Sequence, residues 1–181
     1  MNEPILEIKN LTISFPTETD YVKAVKNLSF SLQKGKTVGI VGESGSGKSI
    51  TALSIMRLLE GADYSGEILL HTDSARQNLL KLNNKHMRRF RGNRIAMIFQ
   101  EPMTSLNPSM RCGDQILESL QLHLGMNQTQ ARKRTLELLE EVRLPNPEKI
   151  FSAYPHEISG GQKQRVMIAM AISCKPDILI A

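Results

Sequence analysis

Apolar residues recur at every second position over the first stretch of the chain. Ile5-Leu6-Glu7-Ile8 alternates weakly, Leu11-Thr12-Ile13-Ser14-Phe15 alternates cleanly, and residues 25–32 alternate again. Successive side chains of a strand point to opposite faces, so this period predicts half-buried strands. Pro16 closes the second and the Lys34-Gly35 turn closes the third. Thr37-Val38-Gly39-Ile40-Val41 is a short apolar run, which predicts a central strand. The period then lengthens to that of a helix. Ala52, Leu53, Ile55, Met56 and Leu59 share one face of a helix expected over residues 48–59, with Gly61 as its stop. Residues 66–71 and 94–99 predict further strands. Residues 101–113 hold prolines, hydroxyl side chains and an asparagine, and predict a loop. Helices are expected at 114–124, with Ile116, Leu117, Leu120 and Leu124 on one face, and at 129–143, with Ala131, Leu138, Leu139 and Val142. The helix expected at 162–173 is apolar nearly all round, which predicts burial. Residues 178–181 begin a strand. Strands alternating with helices predict an α/β core with a mostly parallel sheet, interrupted by a helical segment at 101–175.

Composition changes this picture little. Of 181 residues, 40% are hydrophobic and 23% charged, which is ordinary for a globular domain. No apolar run approaches the ~20 residues that span a bilayer. Met1-Asn2-Glu3-Pro4 shows neither the basic nor the apolar region of a secretion signal. Cys112 and Cys174 are isolated, with no metal-like spacing, and read as reduced thiols of a cytosolic protein. The net charge of +5 owes much to Arg76, Lys81, Lys85, Arg88, Arg89, Arg91 and Arg94, a block without an acid. It reads as a solvated basic face, or as a face lying near anionic lipid. It lacks the repeated aromatic interleaving of single-strand nucleic-acid binders, so no nucleic-acid partner is expected.

Chemistry enters at Gly42-Glu43-Ser44-Gly45-Ser46-Gly47-Lys48-Ser49, a full match to G-x-x-x-x-G-K-[ST] between an expected strand and an expected helix. Glycines at 42, 45 and 47 allow the positive φ that turns N–H groups inward. The following helix N-terminus, Ile50 included, adds positive partial charge toward a phosphate. In such a loop the lysine, Lys48, reaches the terminal phosphates and the hydroxyl of Ser49 ligates Mg2+. A nucleoside triphosphate site is therefore expected here. Further along stands Ile158-Ser159-Gly160-Gly161-Gln162-Lys163-Gln164-Arg165. Ser159 followed three residues later by Gln162 is also the pattern of a helix capping box.

Loop and Ser-Gly-Gly-Gln together resemble the ABC ATPases, with Ile158 where the family signature usually has Leu. The resemblance covers essentially the whole chain. It implies a P-loop NTPase core of α/β class, with a mostly parallel sheet, antiparallel N-terminal strands and an inserted helical subdomain. It implies a nucleotide-binding core at 1–100, a helical subdomain at 101–175, and the start of the Walker B strand at 176–181. It implies ATP and Mg2+ as cofactors. Phe15 takes the place of the aromatic that stacks on adenine, with Tyr21 as its competitor. Ser159, Gly160, Gly161 and Gln162 would meet the ATP held by a second ATPase subunit. Gln100, after the strand at 94–99, would contact Mg2+ or the attacking water and sense the membrane subunit.

Glu101-Pro102-Met103-Thr104-Ser105-Leu106-Asn107-Pro108, with Tyr154-Pro155-His156-Glu157, resembles the oligopeptide, dipeptide and nickel importer ATPases. That implies a peripheral subunit on the cytoplasmic face of the membrane. Two transmembrane permease subunits and, indirectly, an extracytoplasmic substrate-binding protein would be its partners. Peptides would be the cargo, with nickel or opines as the alternative. In the family, an Asp-Glu pair follows the strand matched by residues 178–181, and a switch histidine comes later. The chain ends before both, so it reads as an N-terminal portion with an incomplete C-terminal sheet and negligible turnover by itself. An ATP-binding module without hydrolysis is a second reading. A non-transport ATPase acting on nucleic acid is a third, which the loop at 101–108 disfavours.

Overall fold

The computed structural model describes residues 4–72, 75–99 and 106–181. Two compact units divide the chain, Met1–Met87 and Arg88–Ala181.

The first unit is built on a four-stranded antiparallel sheet in the order β2-β1-β3-β4, with β1 at Pro4–Pro16, β2 at Tyr21–Gln33, β3 at Asp63–Thr72 and β4 at Ala75–Asn78. The two strands expected at the start are one, bent where Asn10 takes a positive φ of 48°. The bend shifts the β1–β2 register between Ile8 and Leu11, so apolar side chains stay on one face across the irregularity. Its polar groups are satisfied locally. Asn10 N–H donates to Ser29 Oγ at 2.8 Å and Asn27 N–H donates to Thr12 Oγ1 at 3.0 Å. Opposite the bend, Gly66 has φ 93°, and a Cβ there would lie 2.5 Å from the carbonyl oxygens of Lys9 and Asn10. Only glycine fits that approach. Leu6, Ile8, Leu11, Ile13, Ile68 and Leu70 are buried on the inner face.

Helix α1, Lys48–Ile55, is shorter than its apolar period predicts. It ends because Arg57 adopts φ 50° and its guanidinium donates to the carbonyls of Leu79 and Leu82. Gly61, the expected stop, has φ 66° but lies past the end. Thr51, Ser54 and Ile55 are its buried residues. The expected central strand at 37–41 does not form. Val38, Ile40 and Val41 stand 43%, 44% and 95% exposed, and among the described residues no strand pairs with them. An apolar run specifies a strand only where a neighbour accepts and donates its backbone hydrogen bonds. A short helix, α2 at Asn84–Met87, ends this unit.

The second unit packs helices α3 (Cys112–Leu124), α4 (Gln128–Glu141), α5 (Pro147–Ser152) and α6 (Gly160–Ile172) beside a parallel pair, β5 (Ile95–Met97) with β6 (Ile178–Ile180). Among the described residues that pair carries the parallel pairing of named strands. Ile116, Leu120, Leu138, Leu139, Val166 and Ala169 are fully buried in one cluster. Helix α3 stops at Gly125, φ 63°, as its sequence predicts. Helix α4 starts on an Asn127–Gln130 capping box. Helix α5 follows Pro145 and begins at Pro147, in a stretch where the apolar pattern predicts no helix, because either proline reads as a break after residue 143. Pro147 instead opens the helix, a position where its missing N–H costs nothing. The ring of Phe151 on α5 lies against Gly113 on α3, where a Cβ would sit 2.3 Å from it.

The antiparallel N-terminal strands, the helical segment and the α/β class thus match expectation. Both cysteines are free and buried. Burial pushes the Cys112 thiol up to about 11 and raises that of Cys174.

Candidate nucleotide site

The phosphate loop is shaped by its own backbone. Gly45 and Gly47 have φ of 80° and 89°. A Cβ on Gly47 would lie 2.8 Å from the Ala24 carbonyl of β2, so the loop is pressed against that strand. Ser46 N–H donates to Glu43 O at 3.2 Å, closing the turn. Gly42 packs so close to Ser46 that a Cβ would meet its Oγ at 2.6 Å. Lys48 folds back over the loop. Its Nζ donates to the carbonyls of Gly42 at 2.8 Å and Glu43 at 2.6 Å, and reaches Ser46 Oγ at 3.4 Å. These are neutral acceptors, and a phosphate oxygen would make a stronger, charge-assisted partner for the same ammonium.

Gly47 is the N-cap of α1 and offers no side-chain cap. The first intrahelical bond runs from Thr51 N–H to Gly47 O at 2.8 Å. The amides of Lys48, Ser49 and Ile50 therefore have no carbonyl within the helix to bond. Glu43, Ser44 and Ser49 are exposed. Such a row of donors beside an ammonium fits an oxyanion-rich ligand such as the phosphates of ATP. Among the described residues no cluster of three His, Cys, Asp or Glu could cage a metal. A Mg2+ here would be held by Ser49 and by the oxygens of the bound phosphates, the usual habit of this ion.

Both aromatic candidates stand at the tip of the β1–β2 hairpin. Phe15 is half-buried opposite Val22, and Tyr21 is exposed opposite Pro16. Ala24, which meets Gly47, is on the same β2 strand, so hairpin tip and phosphate loop share one support. Gln100, and the part of the subfamily loop at 101–105, lie outside the described residues.

The Ser-Gly-Gly-Gln stretch, in the second unit, opens α6. Ser159 is its N-cap. Gln162 N–H donates to Ser159 Oγ at 3.3 Å, and Ser159 N–H donates to Gln162 Oε1 at 2.8 Å. The capping box read from the sequence is present, with Gly160 and Gly161 exposed. A Cβ on either glycine would meet nothing within 4 Å. The preceding turn is tied in the same way, with Tyr154 N–H donating to Glu157 Oε2 at 2.7 Å. A cleft of about 620 Å³ borders the motif, walled by Ile150, Ala153, Glu157, Ile158 and Gln162. Helix α6 is also held by Arg165, whose Nη1 donates to the carbonyl of Val142, the C-cap of α4, at 2.7 Å. Arg165 and Arg57 are supports with no local sequence signal, because each acts on a carbonyl more than twenty residues away.

Comparison with known proteins gives the family and the fold. The family described as "ABC transporter" matches residues 25–181. The glutathione import ATP-binding protein GsiA of Escherichia coli is 50% identical, aligned over 98% of this chain and 29% of that protein. Its counterpart in Pectobacterium atrosepticum is 48% identical over the same shares. The chain thus spans about 29% of the length of these relatives. A solved ATP-binding cassette, described as a dimer in a post-hydrolysis state bound to ADP and Pi, superposes with a TM-score of 0.82 at 28% identity, covering 96% of this chain and 72% of its own. With the phosphate loop and the capped glycine pair both on one polypeptide, the chain belongs to the ABC transporter family.

Proposed function

We propose that this chain supplies the ATP-binding region of an importer ATPase that couples ATP binding and hydrolysis to uptake of a small peptide across the cytoplasmic membrane. The observation that carries the reading is the loop at 42–49, with unbonded amides at the start of α1 and Lys48 folded among its carbonyls. The cargo class is supported by the relatives named for glutathione import, glutathione being a tripeptide. In this reading residues 1–100 form the nucleotide-binding core, 101–175 the helical subdomain, and 176–181 the start of the next strand. Lys48 and the amides of 45–50 hold the phosphates, Ser49 and Gln100 hold Mg2+, and Phe15 stacks on adenine. Bound Mg2+ supplies charge neutralisation at the phosphates.

Ser159 and Gly160 face the nucleotide of a second ATPase subunit. Two permease subunits receive the closing motion, and an extracytoplasmic binding protein delivers the cargo. The protein sits peripherally on the cytoplasmic face of the membrane. Among the described residues no helix is long and apolar enough to cross it.

The test is ATP-dependent uptake of labelled glutathione and dipeptides by membrane vesicles carrying the full-length protein and its permease. Lys48→Ala should lower nucleotide affinity by about a hundredfold, about 2.7 kcal/mol, and abolish uptake. Uptake indifferent to Lys48→Ala would refute the reading. Uptake of nickel alone would keep the ATPase and replace the cargo.

A further inference from the structure

We propose that Gln162 is a positioning residue for Ser159, acting on ATP turnover through the serine and not by touching nucleotide. The proposal rests on the reading of residues 159–162 as half of a shared ATP site. Its ground is the asymmetry of the capping box. The bond from Ser159 N–H to Gln162 Oε1 is 2.8 Å, while the bond from Gln162 N–H to Ser159 Oγ is 3.3 Å. The first is a normal amide hydrogen bond and the second is longer than the common N–H···O range. The Gln162 side chain therefore fixes the backbone of residue 159, and the hydroxyl is held more loosely.

A serine hydroxyl has one donor and two acceptor sites. In the cap Ser159 Oγ is an acceptor, so its own proton is left to donate to an oxygen arriving at the helix N-terminus. Capping and anion contact thus use different halves of the same group. Gln162, by contrast, has its carbonyl oxygen committed to its own chain and its side chain against the cleft wall with Ile150, Glu157 and Ile158. A residue spent in this way sets where the donor stands. Gly160 and Gly161, with open space at both Cβ positions, leave the approach to that donor clear.

The experiment is a double-mutant cycle in the full-length protein assembled with its permease. ATP turnover is measured for the parent, Ser159→Ala, Gln162→Ala and the double variant. Binding of a fluorescent ATP analogue and the melting temperature are followed alongside. Each single change should lower kcat by about tenfold, and the double variant should be no slower than Ser159→Ala within about twofold. Analogue binding at the Lys48 loop should stay within about twofold of the parent, which separates the effect from the other half-site. Gln162→Glu keeps the acceptor for Ser159 N–H and should recover most of the turnover lost in Gln162→Ala.

Multiplicative losses in the double variant would overturn the proposal, because they would mean that Gln162 makes its own contact. So would Gln162→Glu as slow as Gln162→Ala, or a Ser159→Ala variant with full turnover. Parent turnover insensitive to Lys48→Ala is a separate outcome, and it would remove the family reading from which the proposal starts.

Discussion

The phosphate loop and the Ser159 turn both present backbone amides at the start of a helix, and they are held in opposite ways. The loop has no side-chain cap, runs through glycines with φ near 80–90°, and is pressed on β2 at Ala24. The turn is capped reciprocally by Ser159 and Gln162, and its helix continues into a buried cluster around Val166 and Ala169. Glycine therefore means two different things in one chain. At Gly47 it answers to the fold, because any side chain would collide with the chain's own backbone. At Gly160 and Gly161 nothing among the described residues demands it, and the proposed function assigns that demand to the ATP of a second subunit.

The sharpest way to break that contrast is a matched pair of substitutions. Gly47→Ala should cost about 2–4 kcal/mol of stability in the first unit, from a strained φ and a backbone clash, and should remove nucleotide binding. Gly160→Ala should change stability by less than about 0.5 kcal/mol, since alanine fits the first turn of a helix, while turnover of the assembled protein falls. Urea titration with nucleotide binding on both variants decides it. Equal destabilisation would end the distinction.

A middle-sized effect is expected at Gly113, where glycine again serves packing. Gly113→Ala should cost about 1–3 kcal/mol as the Phe151 ring is forced aside, read as a lower melting temperature with analogue binding at the Lys48 loop unchanged. A variant as stable as the parent would show that α5 can shift at no cost.

The smallest effect concerns Cys112. Its thiol is pushed up to about 11 in the folded chain by burial, against about 9 when unfolded. The folded form keeps the proton longer, so the contribution to stability is intact below the unfolded value. It is lost as pH rises between that value and about 11. At pH 8 a thiol reagent should find about a hundredfold less thiolate in the folded chain than in the unfolded one. Equal labelling rates in the two states would show that the second unit opens readily.

Much of the site was legible because its chemistry is local. Gly42 to Ser49 carries its turn glycines, lysine and hydroxyl within one loop, and Ser159 with Gln162 carries a cap within one helical turn. The strand expected at 37–41 failed for the opposite reason. Its residues suit a sheet, but pairing is decided by a neighbour that no residue in the run encodes. Helix α5 was hidden by Pro145 and Pro147, since a proline reads equally as a break or as a first helical residue until the chain around it is seen.

The sequence by itself determined the family and, to within two residues, the ends of α3, α4 and α6, because glycine, proline and capping side chains act over a few bonds; it also named the candidate anion-binding groups. Only the tertiary structure decided where α1 stops, which glycines are sterically required, and what holds α6 in place. Those depend on Arg57 reaching Leu79 and Leu82, Gly47 meeting Ala24, and Arg165 reaching Val142. Such contacts join residues far apart along the chain, and their energy exists only once the chain has folded.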